Sequence, residues 1–304
     1  MRTAIAVITY NRPQYFQHCI KRVVACEGIG EADVWVCMDG GRGATIHGNL
    51  DILSELDSNV QVITNFKNSG CGLHHVEVRN RFLSELGYDR LIVIEDDMLL
   101  GPTFYRLIQR LADWATTEYD NIGAVSLWYA NQLQTPDAKR PYLRKVVSTN
   151  AGWTAYMISR RMWENMWPLV NEYSQKWLGG GYGFEIEQRT AWLHEKVIHP
   201  LTFSSEFSSP FPETQGWDQI SKMFAPDAPR PPIGQDAMTA AIMYHLGYCK
   251  IETLVNRCVN IGVFGVNSGL TRWNRSILAD VKLHDFAEDY GIREFEPYRA
   301  GLQS

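Results

Sequence analysis

Three carboxylates stand side by side at Glu95, Asp96 and Asp97, directly after the apolar run "LIVI" and before "MLLG". Adjacent acids repel one another and an unpaired buried charge is costly, so acids in this position need a partner or water. Three chemistries meet that need. The acids can be solvated side chains ahead of a helix N-terminus, where negative charge is favoured. They can form a paired-carboxylate acid/base site, as in glycoside hydrolysis. They can also hold a divalent cation, because hard carboxylate oxygens suit Mg²⁺ or Mn²⁺, ions that keep positions open for water and substrate phosphates. An ion held there would bridge the two phosphates of a nucleotide-sugar and neutralise the charge that builds on a departing nucleoside diphosphate.

The elements that must position the acids favour the metal. "AIAVITY" is an apolar, β-branched strand, and Pro13 then sits where a helix can begin, with Phe16, Cys19, Ile20, Val23 and Val24 at helical spacing. "DVWVCMD" is a second strand, running into the turn residues Asp39, Gly40 and Gly41, and "NVQVIT" is a third. The spacing predicts a helix over 73–86 closed by Gly87, then the strand "RLIVIE". Pro102 opens a helix with Phe104, Leu107, Ile108, Leu111 and Trp114 on one stripe, and "IGAVSLW" is a fifth strand. Strands alternating with helices of this length imply an α/β sandwich with a mostly parallel, Rossmann-like sheet. Ligands of such sheets bind outside the carboxyl ends of the strands. That rule gathers Asn11, Arg12, Asp39, Gly40 and the acidic triplet on one rim.

The second half is less regular. "AGWTAYMISRRMWENMW" reads as a strand leading into a helix, and "WLGGGYGFEIEQRTAWL" as a glycine-rich loop leading into another. Residues 208–234 are proline-rich and read as a long irregular excursion of the kind that often forms a lid or binding loop. "GQDAMTAAIMYHLGY" is a short helix closed by Gly247. No composition break demands a linker, so the expectation is one continuous domain with a nucleotide-sugar-binding half over 1–130 and an acceptor-side, catalytic half over 131–304.

With 29 basic and 34 acidic residues the formal charge is −5, which argues against broad, sequence-blind nucleic-acid binding. Lys139, Arg140, Arg144 and Lys145 form a local basic patch, read as a solvated loop. The six cysteines show neither CxxC pairing nor zinc-like spacing, and the N-terminal apolar run is too short for a signal peptide. No segment is long enough to cross a bilayer. The expectation is a cytoplasmic protein with reduced thiols, in a bacterial or phage-infected cell.

In order, "TYNRP", "MDGG", "VIEDDMLLGPTFYRLI", "GAVSLWYAN", "AGWTAYMISRRMWENMWP" and "NIGVFGVNSG" resemble GT-A fold glycosyltransferases. Within these the set is most similar to the N-acetylglucosaminyltransferase I family, over residues 4–269. The resemblance implies a GT-A fold and roles for single residues. Arg12 and Asp39 would contact the nucleotide, with Asp39 placed for the uracil or ribose. Arg79 or Asn80 would complete that pocket, Glu95 and Asp96 would face the ribose and donor sugar, and Asp97 would ligate the metal. The chain departs from the family in lacking an N-terminal anchor and stem. It carries Asn267 and Ser268 where relatives often place a histidine, and its 208–234 stretch is its own.

Inverting transfer needs a carboxylate on the far side of the sugar from the diphosphate to take the acceptor proton. Asp236 opens a helix, where the macrodipole favours the ionised form, and the family pattern also puts an acid there. A helix cap is the structural alternative for it, and Glu185 and Glu187 compete for the catalytic role. The expected activity is therefore a metal-dependent, inverting glycosyltransferase of hexosyl or N-acetylhexosaminyl type. It would use a UDP-sugar with Mn²⁺ or Mg²⁺ and act on a glycan or on a hydroxymethylated base of phage-type DNA. A sugar nucleotidyltransferase is the nearest alternative, although "TYNRPQY" lacks the usual glycine-rich phosphate loop. A nucleotide- or glycan-binding module without catalysis is the other.

Overall fold

The computed structural model describes residues 1–128, 143–147, 153–178, 186–198, 234–263 and 294–297. Lys139, Arg140, Glu185, residues 208–233, Asn267 and Ser268 lie outside them. In chain order the elements are β1 (Thr3–Thr9), α1 (Pro13–Val24), β2 (Asp33–Met38), α2 (Ile46–Ser54), β3 (Gln61–Thr64) and α3 (Cys71–Asn80). They continue with β4 (Arg90–Glu95), β5 (Met98–Leu100), α4 (Phe104–Glu118), β6 (Ile122–Ser126), β7 (Leu143–Val147) and β8 (Ala155–Ser159). The last are α5 (Arg160–Trp177), α6 (Ile186–Leu193), α7 (Gln235–His245), β9 (Cys249–Thr253), β10 (Cys258–Asn260) and β11 (Glu296–Pro297).

Nine strands make one sheet in the order β11-β7-β9-β6-β8-β4-β1-β2-β3. β3, β2, β1 and β4 are parallel neighbours, as are β6 and β9. β8 runs antiparallel between β4 and β6, and β7 antiparallel to β9. The α/β class with a mostly parallel sheet, expected from the strand–helix alternation, is what forms.

Successive side chains of a strand face opposite ways, and β1 shows the consequence. Ala4, Ala6 and Ile8 join one buried cluster with Val76, Val78, Phe82, Trp163 and Ala240, from the α3, α5 and α7 side. Ile5 and Val7 join the other, with Phe16, Ile20, Leu107 and Ile108 of α1 and α4. The sheet is thus a middle layer between two helical ones. In α1 the apolar stripe Phe16, Cys19, Ile20 and Val23 is buried, as the spacing requires, and burial of each large side chain is worth about 1.5–3 kcal/mol. Helix α3 passes through a π turn at Arg81–Glu85 and is closed by Gly87 at φ 67°, and Gly247 closes α7 at φ 76°.

Arg144 itself departs from the solvated-loop expectation. It is buried on β7, donates to the Tyr119 hydroxyl at 2.6 Å and lies 4.8 Å over the Trp114 ring. Guanidinium–aromatic stacking takes it out of water. None of the six cysteines is joined in a disulfide, and only Cys71 is exposed. Among the described residues no helix is long and apolar enough to cross a membrane.

Candidate active site

Parallel register brings the ends of β1, β2 and β4 level, with Thr9 opposite Met38 and Ile8 opposite Glu95. Beyond the last pairs the backbone continues the alignment, because Asp39 N donates to Thr9 O at 2.9 Å and Asp96 N to Ile8 O at 3.1 Å. The antiparallel β8 enters at the same edge, where Glu95 N donates to Thr154 O at 2.9 Å. Strand polarity alone therefore places Arg12, Asp39 and the triplet on one rim, the place at which α/β sheets bind ligands.

Arg12 ends the turn ahead of α1 and spans two acids. Its Nη1 donates to Asp97 Oδ2 at 2.7 Å and its Nη2 to Asp96 Oδ1. Burial would lower the Arg12 pKa, but Asp97 and Asp96 outweigh it and the pKa is raised, so the guanidinium stays charged. Asp96 is held from behind as well: Thr9 Oγ1 donates to its Oδ2 at 2.9 Å, and Asn49 Nδ2 of α2 reaches Thr9 Oγ1 at 3.4 Å. Burial, opposed by Arg12, pushes Asp96 up to about 6.

Asp97 is pinned by a two-stranded ribbon. β5 pairs antiparallel with β10, which sets Asn260 opposite Met98. Asn260 Nδ2 then donates to Asp97 Oδ1 at 3.1 Å, Ile261 N donates to Asp97 O at 2.7 Å, and Gly262 N donates to Asn260 Oδ1 at 2.8 Å. A Cβ on residue 262 would collide with Asp97 Oδ2, so glycine is what lets the backbone close over that oxygen.

Glu95 faces α3, its Oε1 lying 3.5 Å from His75 Nε2. Burial, then the charges of Asp97, Asp236 and Asp96, push Glu95 well above the ordinary carboxylate range. Burial, then Arg79 and His74, hold His75 well below its usual value. The contact is therefore one between a neutral imidazole and a carboxyl group that readily keeps its proton.

Asp236 joins the same constellation from the first turn of α7, close enough to raise Glu95 electrostatically. It is half-buried, and burial pushes it up to about 6 against the pull of Arg79 and Lys250. Arg79 is fully buried with all three guanidinium nitrogens engaged: Nε with the Tyr156 hydroxyl at 2.6 Å, Nη1 with Thr239 Oγ1 at 2.8 Å, and Nη2 with Gln235 Oε1. Gln235 Nε2 in turn donates to Asp236 Oδ1. Arg79 thus anchors the start of α7 and orients Asp236.

The remaining expected residues sit apart from this cluster. Asp39 is buried and accepts from Gly40 N and Ser69 N at 3.0 Å and from Gly70 N at 3.1 Å, which ties the loop after β2 to the loop ahead of α3. Asn80 lies at the far end of α3 and donates to Glu85 Oε1 at 3.1 Å. Glu187 is exposed in the first turn of α6. Thr9, Asn49, Gln235 and Asn260 belong to the site and were not expected from the sequence. Thr9 lies in "TYNRP", Gln235 in "GQDAMTAAIMYHLGY" and Asn260 in "NIGVFGVNSG", motifs whose other residues carry the expectation, whereas Asn49 lies in none.

Among the described residues no three His, Cys, Asp or Glu side chains are grouped to hold a metal ion by themselves. Mg²⁺ in phosphate chemistry asks for less, one or two carboxylates with water and substrate phosphate completing the shell. Asp97 with Asp96 beside it fits that demand, and the Arg12 guanidinium shows that the pair accepts a cation.

No family model matches the chain, and no curated protein matches it. Partial structural likeness exists to S. aureus TarS 1-349 in complex with UDP (16% identity, 64% of this chain, 55% of the other, TM-score 0.39). The mannosyltransferase PcManGT from Pyrobaculum calidifontis, in complex with GDP-Man and Mn²⁺, shows 13% identity over 64% of this chain and 52% of the other, TM-score 0.41. The galactosyltransferase LgtC with donor and acceptor sugar analogues gives 14%, 58%, 64% and 0.36 for the same quantities. The chain spans about half the length of the TarS and PcManGT structures it matches.

Proposed function

We propose that the chain is an inverting glycosyltransferase that moves a sugar from a nucleotide-diphospho-sugar, a UDP-sugar, to an acceptor hydroxyl. The observation that carries this reading is the constellation of Arg12, Asp96, Asp97 and Asp236 at the carboxyl edge of a mostly parallel sheet. It joins a cation and a cation-binding acid pair, suited to a diphosphate, with a separate carboxylate suited to an acceptor proton.

Asp97, with Asp96, would hold a divalent cation, Mn²⁺ or Mg²⁺, whose contribution when bound is to neutralise charge on the departing nucleoside diphosphate. Arg12 offers the phosphates a planar fork of donors at the mouth of the site. Glu95, its pKa raised by burial and by the neighbouring acids, is the carboxyl of the triplet that most readily takes a proton, and in that form it can donate to a ribose or sugar oxygen. Asp39 fixes the two loops that would flank the base, an indirect role in place of direct contact. Asp236 takes the acceptor proton, and a pKa of about 6 leaves it ionised yet basic enough near neutrality. Arg79 and Gln235 keep its carboxylate aimed.

The test is a screen of UDP- and GDP-sugars with Mn²⁺, scoring release of free nucleotide with no acceptor present. Slow hydrolysis of one donor is expected. Release from none of them would overturn the reading. Adding glycans or hydroxymethylated duplex DNA to the active donor then distinguishes the two acceptor classes.

A further inference from the structure

We propose that Arg12 is an internal counter-ion that keeps divalent cations off Asp96 and Asp97 until a nucleoside diphosphate draws it away. The proposal rests on the nucleotide-sugar reading above and adds an order of binding to it.

Burial and geometry give the argument. The side chains of Asp96 and Asp97 are 3% and 8% exposed, while that of Arg12 is 31% exposed. Arg12 is thus the most exposed member of the trio, and its guanidinium occupies one oxygen of each buried acid. Asp97 Oδ2 is the oxygen that Arg12 holds at 2.7 Å, and it is the same oxygen that the Gly262 backbone closes from the other side. Asp97 Oδ1 is already engaged by Asn260, and Asp96 Oδ2 by Thr9. Every carboxylate oxygen of the pair therefore has a donor. The two that hold Arg12 are those a metal would need, and a guanidinium and a divalent cation sharing them would repel.

A diphosphate changes the balance. Arginine binds phosphate through two parallel hydrogen bonds, so an incoming pyrophosphate competes with the acid pair for the same fork. The released guanidinium has an apolar rest nearby, its carbon lying 5.6 Å from the Tyr15 ring centroid. The freed acids and the phosphates then form a shared cation site. Nucleotide and metal should help each other to bind, to the same degree in either direction.

Equilibrium dialysis of Mn²⁺ against the full chain, with the Mn²⁺–UDP complex of a protein-free chamber subtracted, tests this. Arg12→Gln should bind Mn²⁺ about tenfold tighter than wild type without nucleotide, within the usual span of coupling energies. Arg22→Gln, which removes an exposed charge from α1, the helix that follows Arg12, should leave the affinity unchanged. UDP should tighten Mn²⁺ binding about tenfold in wild type and far less in Arg12→Gln. Arg12→Lys, which keeps the charge but cannot span both acids, should fall between. If UDP tightens Mn²⁺ binding to wild type while Arg12→Gln alone binds no tighter than wild type, the counter-ion role is overturned and the nucleotide-sugar reading survives. If Arg12→Gln binds Mn²⁺ tightly but UDP tightens it in no protein, Arg12 is the barrier, its displacement by a diphosphate is overturned, and the nucleotide-sugar reading loses its support. Tightening by neither overturns both.

Discussion

Asp236 carries the sharpest consequences of any one side chain. Its carboxylate is the proposed base, so Asp236→Asn should lower transfer by at least about a hundredfold, the low end of what a general base contributes, while donor binding is retained. Near-normal turnover in that variant would remove Asp236 from the chemistry. The pH dependence follows from its folded pKa of about 6. Below that value kcat/KM should fall about tenfold per pH unit, and above it the profile should be flat, because only the ionised form accepts a proton. Stability runs the other way. The folded pKa lies above the unfolded value of about 3.9, so between these values the native state binds more protons and loses stability as pH rises. At pH 7.5 Asp236→Asn should therefore melt higher than wild type, with about 3 kcal/mol as the upper bound set by two pKa units. A more active and less stable wild type is the signature of a carboxylate held for function.

The strand ends and the loops beyond them decide which residues meet, and only some of this is legible in the sequence. Helices α1 and α4 announce themselves through Pro13 or Pro102 and a single apolar stripe, and the acids were legible as a strand end. Helix α2 was not, since "IHGNLDILS" contains Gly48 and buries Asn49 through a hydrogen bond to Thr9 instead of an apolar side chain. The reversed direction of β8 leaves no trace in "AYMIS", because a strand buried on both faces reads alike in either sense. The β5–β10 ribbon joins residues more than 150 apart, and no local pattern reports that pairing. Asp39 was legible as a turn former; its carboxylate turns out to bind two loops together through three backbone amides. Truncation to alanine leaves those amides without their charged acceptor, at about 1.5–3 kcal/mol for a single such bond. Asp39→Ala should thus lose at least about 3 kcal/mol in urea unfolding and weaken donor binding with it. Full stability in that variant would show that the loops hold each other without the carboxylate.

At the scale of the molecule, several charged side chains among the described residues are buried along the sheet instead of lying in solvent. Besides the acid cluster, Lys250 and Glu252 of β9 form an ion pair at 2.6 Å with both side chains essentially inaccessible, and Lys250 lies 4.8 Å over the Trp153 ring. Removing one partner of a buried ion pair is strongly destabilising, so Lys250→Met should cost about 3–5 kcal/mol and lower the melting temperature steeply. A fold that keeps this much charge out of water should respond strongly to a ligand that neutralises part of it. A ligand bound only by the native state adds about 2.7 kcal/mol at a hundred times its Kd. For a chain of this size each kcal/mol moves the midpoint by roughly 2 °C, so UDP with Mn²⁺ should raise it by about 5 °C. With UDP and a chelator the gain should largely vanish, and Asp97→Ala should show little gain under either condition. A midpoint that rises equally with and without metal in wild type would separate nucleotide binding from the acid pair. An Asp97→Ala protein that keeps the full metal-linked rise would place the cation elsewhere.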